Sequence, residues 1–129
     1  MNYCFMENKK ENIIQTKSFD FALKIIELYK FLKQNNENVI SKQLLKSGTS
    51  IGANVQEAGA AQTKKDFITK MSIASKEARE TKYWLNLLNK SNLVQNNYNE
   101  FISAVDELIN ILTAIVKTSQ KNIKGDYKR

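Results

Sequence analysis

With 129 residues, 42% of them hydrophobic and 26% charged, the chain has room for one buried core but not for two. It has no proline and only four glycines, a composition that excludes loop-rich folds and favours uninterrupted helices. Twenty basic residues against 13 acidic ones leave a net charge of +7, which favours polyanionic partners. The chain has no histidine, and so lacks the commonest general base and metal ligand.

Residues 1–16 are polar and patternless and read as a disordered lead-in. The single cysteine, Cys4, falls there and has no intramolecular disulfide partner, which makes it an incidental free thiol. Met6 is an alternative start position. No apolar stretch is long enough to span a bilayer, and the first residues lack the apolar core of a secretory signal. The expected location is therefore the cytoplasm.

The first helix is expected from about Ser18, as N-cap, to Gln34. Its apolar residues form two adjacent stripes, Phe21–Ile25–Leu28–Leu32 and Ala22–Ile26–Tyr29, a face wide enough for more than one neighbour. The second helix is expected from about Val39 to Ala61, with Ile40, Leu44, Ser47, Ile51, Val55 and Ala58 at helical spacing. Gly48 and Gly52 lie one turn apart inside it. Each costs about 1 kcal/mol relative to alanine, so close approach of another helix is the expected reason for both, with a kinked helix as the structural alternative.

The third helix is expected over 64–90, with Thr63 and Asp66 as its capping signal. Phe67, Met71, Ala74, Ala78, Thr81, Leu85 and Leu88 alternate spacings of four and three, a heptad seam. Ile73, Trp84 and Leu87 lie off that seam. The fourth helix is expected over 98–123, with Asn97 and Glu100 as a second capping signal and a seam through Tyr98, Ile102, Val105, Ile109, Leu112 and Val116. Residues 124–129 read as a basic tail. The expectation is one domain over 17–123, an all-α, antiparallel four-helix bundle whose surplus apolar surface serves self-association.

Two lysine rows carry the only functional signal. At about 100° per residue, Lys65, Ser72, Lys76, Arg79, Tyr83 and Lys90 cluster on one side of the third helix, away from its seam. Lys117, Lys121, Lys124 and Lys128 follow at the end of the fourth. Flexible cations mixed with hydroxyl donors suit phosphate contacts, and Arg79 with Tyr83 could stack on unpaired bases. A solvated lysine face is the ordinary alternative. Glu57 is the carboxylate expected to be buried in the small-residue region, partnered by Asn54, Lys42 or Arg79. No catalytic, cofactor-binding or metal-binding residues are expected, and no phosphate loop or dinucleotide fingerprint occurs.

Several of these residues also carry a specific resemblance. Ser50, Ile51, Asn54, Glu57 and Ala58, then Asp66 and Phe67, then the run from Lys76 to Leu85, resemble the signature of the 23S rRNA intervening-sequence (four-helix bundle) protein family. Phe21 to Leu32 is similar to that family's first helix, and the likeness covers about residues 17–120. The resemblance implies a bundle assembling into a homopentameric ring, with no established enzymatic activity and no cofactor. It also implies kinship with accessory proteins of diversity-generating retroelements, basic pentamers that engage a polymerase and nucleic acid. The expected function is sequence-nonspecific binding of RNA or DNA by a non-enzymatic oligomer. The alternative is an assembly scaffold for a protein partner, held through Trp84 or Leu87.

Overall fold

The computed structural model describes the backbone of residues 9–127, and the side chains of residue 9 and residues 11–123. Four helices follow in order: α1 Lys9–Gln34, α2 Ile40–Gly59, α3 Lys64–Ser91 and α4 Asn99–Tyr127. Each packs on the next, and α4 returns to α1 through the narrowest of the four seams. Cross-helix contacts fix every direction. Residues 18 and 25 of α1 meet 52 and 48 of α2. Ser47 and Glu57 of α2 meet Thr81 and Lys70 of α3, while Arg79 and Lys82 of α3 meet Thr113 and Asp106 of α4. Numbers rise along one helix as they fall along its neighbour, so all four seams are antiparallel.

The heptad seam of α3 is buried at all seven positions. It meets Leu44, Ile51, Val55 and Ala58 of α2, with Phe21, Ile25, Leu28 and Leu32 of α1 and Val105, Leu108, Leu112 and Ile115 of α4 completing one core. On α1 the second stripe, Ala22, Ile26 and Tyr29, is half-buried.

The start of α1 differs from expectation. The helix begins at Lys9, so residues 9–16 belong to it rather than to a disordered lead-in. Ile14 is fully buried, and Ser18 is a buried interior residue, not an N-cap. The Ser18 hydroxyl donates to the Gln15 carbonyl at 3.2 Å. Residues 1–8, with Cys4 and Met6, lie outside the described residues. At the other end, residues 124–127 continue α4 instead of forming a separate tail.

The helix ends are made without proline. Asn36 and Asn92 take positive φ values of 64° and 57°, the left-handed conformation asparagine tolerates better than other non-glycine residues. Glu37 accepts from the Ser41 amide at 2.7 Å, satisfying one orphan donor of α2. The Thr63 side chain accepts from the Asp66 amide, as its capping signal requires. Asn97, in contrast, accepts from Asn99, and Glu100 reaches instead to Lys24 of α1 at 3.3 Å.

One polar link crosses the core. The hydroxyls of Ser47 and Thr81 are hydrogen-bonded at 2.9 Å, and the Thr81 hydroxyl also lies 2.8 Å from the Glu77 carbonyl oxygen. Thr81→Val strips Ser47 of its short partner and is expected to destabilise the fold by about 1–3 kcal/mol. Removing both hydroxyls with Ser47→Ala/Thr81→Val should cost less than the sum of the two single changes. Urea unfolding of the four proteins of the cycle measures the difference, and additive losses would contradict the pairing.

Tyr98 closes the upper end of the core, 1% exposed, with its hydroxyl donating to the Val94 carbonyl at 2.7 Å. Burial first, and the Glu37 carboxylate second, raise its phenol above the ordinary value of 10.0. A raised pKa keeps the neutral form in the fold, so this contribution is intact below pH 10 and is lost as pH climbs through the folded value. Stability of the wild type should therefore fall more steeply above about pH 10 than that of Tyr98→Phe. Parallel alkaline slopes in the two proteins would remove Tyr98 as the cause.

Candidate nucleic-acid interface

Position along α3 decides what each of its side chains can do. With the seam turned inward, Lys65, Ser72, Lys76, Arg79, Tyr83 and Lys90 all emerge exposed on the outer side, as their spacing predicts. The cations divide by pairing. Lys70 and Lys82, on the flanks, are tied to Glu57 at 3.0 Å and to Asp106 at 2.7 Å. Lys65, Lys76, Arg79 and Lys90 have no ion pair among the described residues. The row is thus charge left uncompensated beside lysines that are compensated.

Arg79 reaches sideways. Its Nη2 donates to the Thr113 hydroxyl of α4 at 3.3 Å. On α4, Lys117 lies one turn beyond Thr113, on the same side and towards the first turns of α3, where Lys65 sits. Lys117 and Lys121 are exposed and also lack ion pairs among the described residues. The structure therefore brings the two lysine rows onto neighbouring faces of the α3–α4 seam. Lys90 is not part of that meeting, because it lies at the opposite end of α3. Lys124 lies in the last helical turn, and its side chain is outside the described set, as is Lys128 entirely.

Tyr83 sits between Arg79 and Lys90 in the row. It is 57% exposed and meets Trp84 edge-on, with ring centroids 5.1 Å apart and an interplanar angle of 71°. Trp84 is half-buried against the core, and its indole N–H faces Glu80 Oε2 at 3.5 Å. The aromatic surface offered to solvent is thus the tyrosine, backed by the tryptophan.

Other expectations are revised. Glu57 is not buried: its side chain is 58% exposed, and its partner is Lys70, none of the three residues expected. The turn that carries Ala58 inward carries its neighbour Glu57 outward. Leu87 is half-buried, like Trp84, and neither is among the most exposed apolar residues. Besides Tyr83, those on a helix face are Phe19 and Leu23 of α1, 63% and 50% exposed. Phe19, Leu23 and Ile26 follow four–three spacing, the signal that would have found this face. Among the described residues no group of three histidine, cysteine or carboxylate side chains is placed to hold a metal ion. No described helix is long and apolar enough to cross a membrane.

Comparison with known proteins agrees with this architecture. A crystal structure of a protein of unknown function from the S23 ribosomal protein family of Bacteroides thetaiotaomicron VPI-5482 superposes with a TM-score of 0.80. The two sequences are 46% identical, and the match covers 84% of this chain and 98% of that one. No match is found among curated proteins. Residues 10–114, which run from the first turn of α1 to the middle of α4, match the family described as 23S rRNA-intervening sequence protein. This four-helix chain belongs to the 23S rRNA-intervening sequence protein family.

Proposed function

We propose that the protein is a non-enzymatic homo-oligomer, a pentameric ring, that binds RNA or DNA through the basic surface of the α3–α4 seam. The observation that carries this reading is the division among the lysines. Lys65, Lys76 and Arg79 of α3 and Lys117 and Lys121 of α4 share one side of the bundle without carboxylate partners among the described residues, whereas Lys70 and Lys82 are neutralised. Unpaired, mobile cations on a rigid two-helix surface are what phosphate contacts require, and such contacts read charge, not sequence. Repetition of the row around a ring would multiply a weak site into a useful one. Lys90 and Lys124 extend the row at either end.

The test is a salt titration of labelled RNA and DNA binding to the purified protein. Affinity should fall linearly on logarithmic axes, with a slope set by the number of phosphates held. No binding near physiological salt would end this reading.

A second reading, an assembly scaffold, draws on the exposed Phe19 and Leu23 of α1, which lie on a different helix from the basic row. Self-association uses apolar surface of this kind, and so would a protein partner. Co-purification with and without nuclease separates the two readings. A partner retained after nuclease treatment favours the scaffold.

A further inference from the structure

A cleft of about 460 Å³ opens at the turn between α3 and α4, just beyond Lys90. Its floor is apolar, made by Leu88, Val94 and Tyr98, all buried. Its rim is made of side-chain amides: Asn89, Asn92, Gln95 and Asn96, all exposed and without side-chain hydrogen bonds among the described residues. Asn97 also lines the cleft, but its oxygen is committed to the Asn99 amide. No lysine, arginine, aspartate or glutamate lines it.

That lining selects a ligand chemistry. Each free carboxamide offers a donor and an acceptor side by side, the pattern that pairs with the edges of nucleobases. Without a cation in the wall, the cleft has nothing to hold a phosphate. A sugar would want an open aromatic face, and the ring of Tyr98 is covered. A neutral, flat, hydrogen-bonding group next to a cationic row is a base on a strand whose phosphates follow that row.

The geometry points to a base-reading site: the amide-rimmed cleft of Asn89, Asn92, Gln95 and Asn96 takes an unpaired nucleobase from a single strand running along α3. This rests on the phosphate-binding reading above and adds the base discrimination that the lysines cannot supply. Tyr83 agrees with a single strand. It stands two turns of α3 before Lys90, exposed and braced by Trp84, where an unstacked base can lie against it. A duplex keeps its bases stacked and offers neither contact.

Labelled homopolymer oligonucleotides of A, C and U, about eight nucleotides long, test the site by fluorescence anisotropy. The wild type should show a spread of roughly fivefold or more between the best and worst base. Asn89→Ala/Gln95→Ala, two exposed positions, should collapse that spread to below about twofold, leaving the salt slope and the weakest oligomer's affinity unchanged. Lys76→Glu/Arg79→Glu should do the reverse, weakening all three oligomers while keeping their ratio. Salt-dependent binding with no spread in the wild type, or a spread that survives the amide double variant, overturns the cleft and leaves the phosphate reading standing. Failure of every oligomer to bind overturns both.

Discussion

Reversing two charges, Lys76→Glu with Arg79→Glu, is expected to weaken nucleic-acid binding by well over tenfold at about 0.1 M salt and to leave the fold intact. Both residues are exposed on the outer side of α3, one turn apart. Neither belongs to the core, and among the described residues the change gives up only the hydrogen bond from Arg79 to Thr113 at 3.3 Å. Each phosphate contact contributes about 0.7 to the logarithmic salt slope for a single strand and about 0.9 for a duplex. Removing two contacts therefore lowers affinity near 0.1 M by roughly 25-fold for a single strand and 60-fold for a duplex, and reversal adds repulsion to that loss. The slope itself should drop by between about 1 and 2 units. Lys70→Glu and Lys82→Glu supply the control. Both lysines are already neutralised by Glu57 and Asp106, so their reversal should affect binding less. Equal losses from the paired and unpaired lysines would show general attraction to net charge, and the α3–α4 seam would lose its claim to be the site.

Much of this architecture is legible in the chain itself, and the misses have physical causes. The α3 seam is read correctly at every position because a strict four–three pattern admits a single inward face. The start of α1 is misread because its buried series, Ile14, Ser18, Phe21, Ile25, Leu28 and Leu32, is interrupted by a serine. A serine before an apolar run looks like a cap. Here it is a small residue that lets the glycine face of α2 come close, which is tertiary information. Glu57 is misplaced for a related reason, since nearness in sequence to Gly52 and Ala58 says nothing about which side of the helix it occupies. The lysine rows are legible as rows, but their adjacency is not. Whether α4 turns its Thr113–Lys117 side towards α3 depends on how the two helices are rotated against each other, and that is set by packing of the whole core. The amide cleft is hidden for the same reason, because its residues read only as a polar turn until α3 and α4 are folded around it.

Gly48→Ala should destabilise the bundle even though alanine is the better helix former. An added Cβ at position 48 would lie 2.8 Å from Cγ2, 3.0 Å from Cγ1 and 3.3 Å from Cβ of Ile25. Ile25 is fully buried and β-branched, so turning about its first side-chain bond exchanges one close carbon for another. Relief therefore requires α1 and α2 to move apart. Overpacking of this kind costs about 1–3 kcal/mol, or more where backbone must shift, and alanine returns about 1 kcal/mol of helix propensity. The net loss is expected near 1–2 kcal/mol, several degrees in Tm for a domain of this size. At Gly52 the nearest atom is the Ser18 carbonyl oxygen at 3.3 Å, so Gly52→Ala should cost less, a displacement of a few tenths of an ångström largely offset by propensity. The cause can be isolated with Ile25→Ala. That change removes both offending γ-carbons and is itself costly, about 2–5 kcal/mol. In its background the same Gly48→Ala substitution should become neutral or stabilising. A sign change of this kind, read from chemical denaturation of the four proteins, would establish that Gly48 is glycine because Ile25 occupies the space. If the loss were unchanged when Ile25 is alanine, the cause would lie elsewhere in α2, and the glycine would have to be explained by the helix's own conformation.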